Sequence, residues 1–395
     1  MSKKYINTIP EDAFSFIDKE LLKKDNVINL SIGNPIDPPD GSILNKLNKY
    51  ILDESSHGYG FTDKDTEREV KKSISNYYKR RFNVDLYENK EVEILNGTKE
   101  GIYYLLSSMI DEGDKVLIPS PSYSVYMNIV HLIGGESVYF PCDRETFVPD
   151  LDSIKEQDLI DANVMVLCSP GNPTTKILPR EFLQKAISLA KKYNFKIIHD
   201  LAYGELCFGA NDVTSILSLP DGNKVSVELY SLSKSCNVAG WRIGFALGNE
   251  DVLRNAKTLK YNVDFGTFIP FQKVAIDMID NMEVYSSYQA EIYEERIEYF
   301  VSELNRIGWN VSKPEGSFFI WAKIPQKYSN MKDTEFVSYV LEETDVLVLP
   351  GSGFGYGGKG YVRIALVENI EFLKKAILRL EKLELNQEKN DECAS

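Results

Sequence analysis

The chain has 395 residues, 43% hydrophobic and 26% charged, with a net charge of −14. That is the balance of a soluble globular protein too long for a single core, so two domains are expected. The acidic surplus excludes nucleic acid and anionic membrane surfaces as partners. Only three histidines are present, His57, His131 and His199, so no His-rich metal site is expected. Five cysteines, an odd number with no Cys-x-x-Cys pair, read as a reduced, cytoplasmic protein. No apolar run approaches the ~20 residues of a membrane helix, and the basic start leads into no apolar signal core.

The first forty residues hold few regular elements, and Asn34-Pro-Ile-Asp-Pro-Pro39 must be extended or turn-like. From there strand-like and helix-like segments alternate. Short β-branched or apolar runs fall at 92–95, 116–118, 137–140, 164–168, 196–199, 225–230 and 243–247. Residues 101–110 are apolar on most positions and predict a buried helix. Over 181–193 the apolar residues Phe182, Leu183, Ala186, Ile187 and Ala190 follow a 3.6-residue period. This alternation predicts an α/β structure with a large, mostly parallel sheet flanked by helices. After Pro270 the pattern changes to a long charged helical stretch over 271–307 and a strand at 317–323. A helix at 333–344, strands at 346–349 and 360–366 and a final helix around 372–380 follow, which is a smaller α+β unit. The boundaries expected are an N-terminal segment 1–40, a large domain 41–280, a small domain 281–385 and a disordered tail 386–395.

Ligands of open α/β sheets sit beyond the carboxyl ends of the strands, so the polar residues after each strand carry the functional reading. The most informative stretch is Ser231-Leu-Ser-Lys234, followed by Gly240-Trp-Arg242-Ile-Gly. A lysine can form an imine with an aldehyde, and Ser231, Ser233 and Arg242 can hold a phosphate beside it. Pyridoxal 5'-phosphate (PLP) is an aldehyde that carries a phosphate. After the strand at 92–95, Asn96-Gly97-Thr98-Lys99 opens the buried helix, and a helix N-terminus offers free N–H groups to an anion. After the strand at 164–168, prolines and a glycine fix a loop that presents Asn172. After the strand at 196–199 comes Asp200-Leu-Ala-Tyr203. A carboxylate there can pair with a protonated pyridine nitrogen and keep the ring an electron sink. Asn172 and Tyr203 can hydrogen-bond the ring oxygen. Arg363, in an apolar strand after a glycine-rich loop, needs a partner if buried, and a substrate α-carboxylate would serve.

These motifs, in this order over roughly 28–380, resemble those of fold-type I PLP enzymes, in particular class I/II aminotransferases. The resemblance implies a large PLP-binding domain with a mostly parallel seven-stranded sheet and a small α+β domain joined by the N-terminal segment. It implies Asp200 on the pyridine nitrogen, Asn172 and Tyr203 on the phenolic oxygen, and Tyr123 stacked on the ring. It implies Gly97, Thr98, Lys99, Ser231, Ser233 and Arg242 around the phosphate. It gives Arg363, Asn172 and Gly33 to the substrate, and it has Tyr59 reach the phosphate of a second subunit in a homodimer with shared sites. The activity implied is transamination between an L-amino acid and a 2-oxo acid, with Lys234 as cofactor anchor and proton carrier. A PLP-dependent β/γ-lyase and a non-catalytic PLP-binding protein are the alternatives on the same scaffold. One departure stands at 61–68, where relatives keep a glycine before a Leu-Arg pair and this chain has none. The side-chain pocket reads as walled by Ile36, Asp37, Tyr123 and the loop 261–268, with no second arginine, which leans away from aspartate.

Overall fold

The computed structural model describes Tyr5 and residues 24–385; the tail expected to be disordered lies outside the described residues. The fold is α/β. Its main sheet has seven strands: β2 (Val92–Leu95), β3 (Lys115–Ser120), β4 (Glu136–Pro141), β5 (Ala162–Cys168), β6 (Lys196–Asp200), β7 (Ser226–Ser231) and β8 (Gly244–Gly248). Their spatial order is β2-β8-β7-β6-β5-β3-β4. All neighbours run parallel except those of β8, which is antiparallel to both β2 and β7. The buried runs Val164 to Leu167 and Val227 to Tyr230 are continuous because helices cover both faces of such a sheet. Each segment expected as a strand of this sheet is one, to within about two residues.

Ten helices of nine or more residues surround the sheets among the described residues. They are α1 (Gly41–Ile51), α2 (Lys64–Phe82), α3 (Thr98–Met109), α4 (Ser124–Leu132), α5 (Arg180–Tyr193), α6 (Glu250–Val263), α7 (Ile269–Asp280), α8 (Met282–Arg306), α9 (Asp333–Thr344) and α10 (Ile370–Leu380). The five apolar residues of α5 named above are its buried stripe. The missing glycine before α2 is made good by a cap. Asp63 accepts from the Thr66 amide at 3.0 Å and from its hydroxyl at 2.7 Å, which starts the helix without a left-handed turn.

A second assembly gathers β9 (Phe319–Lys323), β11 (Leu349–Pro350) and β12 (Tyr361–Ala365) into an antiparallel sheet. Beside it, β1 (Ile28–Asn29) pairs parallel with β10 (Val346–Leu347). Ile28 and Leu30 therefore share a core with Ile297, Phe300, Val340 and Leu373. Two expectations are corrected here. The single helical stretch 271–307 is two helices, α7 and α8. Asn281 between them leaves the helical region (φ −116°, ψ 26°) and donates through Nδ2 to the Asp277 carbonyl at 2.9 Å, competing with the backbone for its acceptor. The single strand 346–349 is two short ones, because Val346–Leu347 pair with β1 while Leu349–Pro350 pair with β12, so the chain changes sheet at Val348.

Side chains of a strand alternate between faces. His199 and Asp200, adjacent on β6, illustrate the consequence. His199 points to the face where Glu228 also accepts from Tyr78 and Ser215, with His199 Nδ1 2.8 Å from the Glu228 carboxylate. Asp200 emerges on the other face, at the carboxyl end of the sheet, where the candidate site lies.

Candidate active site

A cavity of about 420 Å³ opens at the carboxyl ends of β5, β6 and β7, between the two sheets. Its lining includes Gly33, Thr98, Lys99, Tyr123, Asn172, Asp200, Tyr203, Ser231, Ser233, Lys234, Arg242 and Arg363. Residues spread over more than 300 positions of sequence are thus brought to one volume, of the size that small-ligand sites have. Gly97, just outside that lining, holds φ +83°, and a Cβ there would lie 2.1 Å from Arg242 Nη2. The lack of a side chain is what lets the guanidinium approach the N-terminus of α3. Arg242 itself sits in the left-handed region (φ 56°), a conformation that costs a non-glycine residue of the order of 1–3 kcal/mol and is found at functional sites.

Lys234 follows β7 on a single helical turn capped by Ser231, whose Oγ accepts from the Ser233 amide at 3.1 Å. Its Nζ donates to the Gly33 carbonyl at 3.0 Å and lies 5.2 Å from the Phe318 ring centre. Burial, then the positive charges of Arg242 and Arg363, lowers its pKa to about 7. The amine is therefore available in neutral form near neutral pH, where an ordinary lysine is almost wholly protonated.

Asp200 is buried, and burial raises its pKa. Two donors oppose that shift: Tyr126 Oη reaches Oδ2 at 2.7 Å and the Ala202 amide reaches Oδ1 at 3.0 Å. Hydrogen bonds to the charged form favour ionisation. Tyr126 itself is fully buried, and burial beside Asp200 pushes its pKa well up, so its hydroxyl stays a donor. Cys168 lines the same wall, but burial pushes its thiol to about 12, which leaves it protonated and unreactive.

Arg363 is 2% exposed on β12. Nη1 donates to Asn172 Oδ1 and Nη2 to the Ser31 carbonyl, each at 2.8 Å. The guanidinium carbon lies 4.1 Å from the Phe319 ring centre and 4.9 Å from that of Phe354. Among the described residues no carboxylate pairs with it and Nε has no partner. Burial lowers its pKa to about 10, so it remains a cation at neutral pH with bonding capacity to spare. Gly33 passes so close to Phe319 that a Cβ would lie 2.6 Å from its Cζ; the close approach requires glycine.

Some expected residues fall elsewhere. Asp37 does not wall the cavity: it forms a two-pronged ion pair with Arg296 at 2.7 and 2.8 Å. The wall is Ile32 in place of Ile36. The loop 261–268 and Tyr59 also stand outside this chain's cavity. Tyr59 is 64% exposed and packs on Phe265, ring centres 4.7 Å apart. Sequence reasoning gave no role to Tyr126, Ser31 or Phe319. Tyr126 had a legible signal, since it lies one helical turn after Tyr123.

This arrangement of lysine, buried aspartate and two arginines around one cavity belongs to an aminotransferase: the chain is a member of the aminotransferase class I and II family, whose model matches residues 25–380. Enzymes of that family depend on PLP. The chain is 38% identical over 387 residues to the LL-diaminopimelate aminotransferase of Syntrophobacter fumaroxidans, covering 96% of this chain and 97% of that protein. It is 34% identical over 354 residues to the glutamate-pyruvate aminotransferase AlaC of Escherichia coli, covering 89% of this chain and 85% of that protein. Among solved structures, substrate-bound BacF from Bacillus subtilis superposes with a TM-score of 0.91 at 33% identity, covering 97% of this chain and 98% of that one.

Proposed function

We propose that this aminotransferase holds PLP on Lys234 and exchanges an amino group between an L-amino acid and a 2-oxo acid in the cavity described above. The observation that carries the reading is Lys234: an amine with its pKa near 7, flanked by two cations and facing a cavity with a buried aspartate on its wall. The residues present fit the cofactor. The cradle at Gly97 would be filled by any Cβ, and the amides of Gly97, Thr98 and Lys99 with Ser231, Ser233 and Arg242 form an anion cup. Tyr123 offers a ring to stack on, worth about 0.5–1.5 kcal/mol beyond burial. Asp200 would accept from the pyridine N–H, and Asn172 and Tyr203 would face the phenolic oxygen. When bound, PLP supplies the electron sink that makes the amino donor's α-proton acidic.

The chain's own groups do the rest. Lys234 Nζ takes the α-proton from the donor and returns it. Arg363 holds the α-carboxylate, with Asn172 fixing the guanidinium plane and Gly33 leaving room for the substrate. Ile32 and Phe319 keep that end of the cavity apolar.

The working unit we propose is a homodimer in the cytoplasm, in which Tyr59 reaches the partner's phosphate site. The exposed aromatics Tyr59 and Phe265, packed with the half-buried Phe61, support it, since contiguous exposed apolar surface marks contact surfaces. The domain division proposed is 41–280 and 281–385, with 1–40 joining the latter; the shared core of Ile28 and Leu30 with residues beyond 290 supports it. Among the described residues the cavity lining holds no arginine beyond Arg242, given to the phosphate, and Arg363, given to the α-carboxylate, which suits neutral, aromatic or amine-bearing donors over aspartate. The test is borohydride reduction of purified protein, which should fix a pyridoxyl group on the peptide containing Lys234. A donor panel of diaminopimelate, alanine, glutamate, aromatic amino acids and aspartate follows, against 2-oxoglutarate and pyruvate. An adduct on another lysine refutes the anchor, and aspartate as best donor refutes the pocket reading.

A further inference from the structure

The long helix α8 runs from one core to the other. Met282 at its start is buried with the main sheet, and Ile297 and Phe300 near its end are buried with the small one. Between them its buried stripe turns polar, at Gln289, Tyr293 and Arg296, which share one face. Gln289 is 2% exposed and accepts through Oε1 from Asn237 Nδ2 at 2.6 Å. Tyr293, fully buried, donates to Asn237 Oδ1 at 3.1 Å. Asn237 is three residues past Lys234, buried, and in the left-handed region (φ 51°), where asparagine is among the few side chains tolerated. Both ends of its amide are thus held by α8. Tyr293 also packs on Phe318, ring centres 5.1 Å apart, and Phe318 lies against Lys234 Nζ. Arg296, one turn on, holds Asp37 and the Val367 carbonyl. Asp37 belongs to the segment whose Gly33 carbonyl accepts from Lys234.

Buried polar side chains are worth little to stability over apolar ones of the same shape, yet fully satisfied they fix one geometry. From this juxtaposition we propose that Gln289 and Tyr293, through Asn237, are positioning residues that set where Lys234 stands in the cavity. The proposal rests on the reading of Lys234 as the cofactor lysine. The charged groups acting on that amine are Arg242 and Arg363, with Lys99, Asp200, Tyr123, Tyr126, Cys168 and Tyr203 lining the same cavity. A Lys234 turn released from α8 admits water to an amine whose titration is lowered first by burial, so its titration moves up.

The experiment compares Gln289→Leu with wild type and with Ile297→Val, which loosens α8 in the small core without touching Asn237. Read in the apo-protein, the pH midpoint of Lys234 acylation should rise in Gln289→Leu towards that of surface lysines. In the holoenzyme kcat should fall by up to about a hundredfold, the cost of a displacement near 1 Å, with KM for the donor nearly unchanged because Arg363 and Asn172 are untouched. Ile297→Val should lower Tm and leave the midpoint in place. A Gln289→Leu variant that loses Tm but keeps both midpoint and kcat overturns the proposal. If it does not fold, Tyr293→Phe carries the test: it deletes only the hydroxyl on Asn237, and an unchanged midpoint and kcat there are equally fatal. The midpoint is read without cofactor, and borohydride trapping on wild type tests the lysine assignment by itself, so the two failures are separable.

Discussion

The most exposed consequence of the site's electrostatics is the titration of Lys234. Its amine is lowered to about 7, first by burial and then by Arg242 and Arg363. An unperturbed lysine titrates near 10.4. At pH 7 half of the Lys234 amine is then neutral, against about 0.04% for an ordinary lysine, a ratio of about a thousandfold in reactive form. Only the neutral amine can attack an acylating reagent or an aldehyde. The assay is competitive acylation of apo-protein across pH, with labelling of each lysine peptide followed by mass spectrometry and the surface lysines of the same chain as reference. Labelling of Lys234 should rise with a midpoint near 7 and saturate while the reference lysines are still protonated. Cofactor uptake by the apo-protein, followed by absorbance, should show the same midpoint. Replacing Arg363 by glutamine removes one repelling cation, so the midpoint should move up; it should stay below the reference value because burial, the larger cause, remains. A Lys234 midpoint coincident with that of the surface lysines would refute the argument that the cavity and its arginines set the charge of this amine.

Further outcomes follow from the geometry. Tyr126→Phe removes a donor that keeps Asp200 ionised, so turnover should fall and weaker cofactor binding should accompany it as pH drops, while Asp200→Asn should lose turnover severely with the fold intact by circular dichroism. Steady-state kinetics over pH and cofactor titration check both, and near-normal turnover in Asp200→Asn would mean another group faces the pyridine nitrogen. Arg363→Ala should raise KM for every amino donor, a loss of about 2–5 kcal/mol in kcat/KM for removing one partner of a charge pair; a loss confined to one donor would place the arginine in the side-chain pocket. Tyr59→Ala should weaken cofactor retention although Tyr59 lies outside its own chain's cavity, and sedimentation of wild type should give a dimer. An active monomer at assay concentration would exclude the shared site.

The order of elements and the chemistry at the strand ends were readable along the chain for a physical reason. Both depend on short-range patterns: the 2 and 3.6 periods, and polar residues placed just after apolar strands. Lys234, Asp200, Asn172 and Arg363 each follow or lie in such a strand, Arg242 stands just before β8, and all five meet in one cavity. The break at Asn281 and the split at Val348 were hidden, because one side-chain amide and the neighbouring pairings decide them. The same limit applied to Asp37, which local sequence offers as a free acid in the pocket. Its partner Arg296 is 259 residues away, and only packing brings them together. The sequence by itself determined which groups exist and on which strand ends they stand. Tertiary structure alone decided their charge states, because burial and the distances among Lys234, Arg242, Arg363, Asp200 and Tyr126 are properties of the packed chain and of no segment within it.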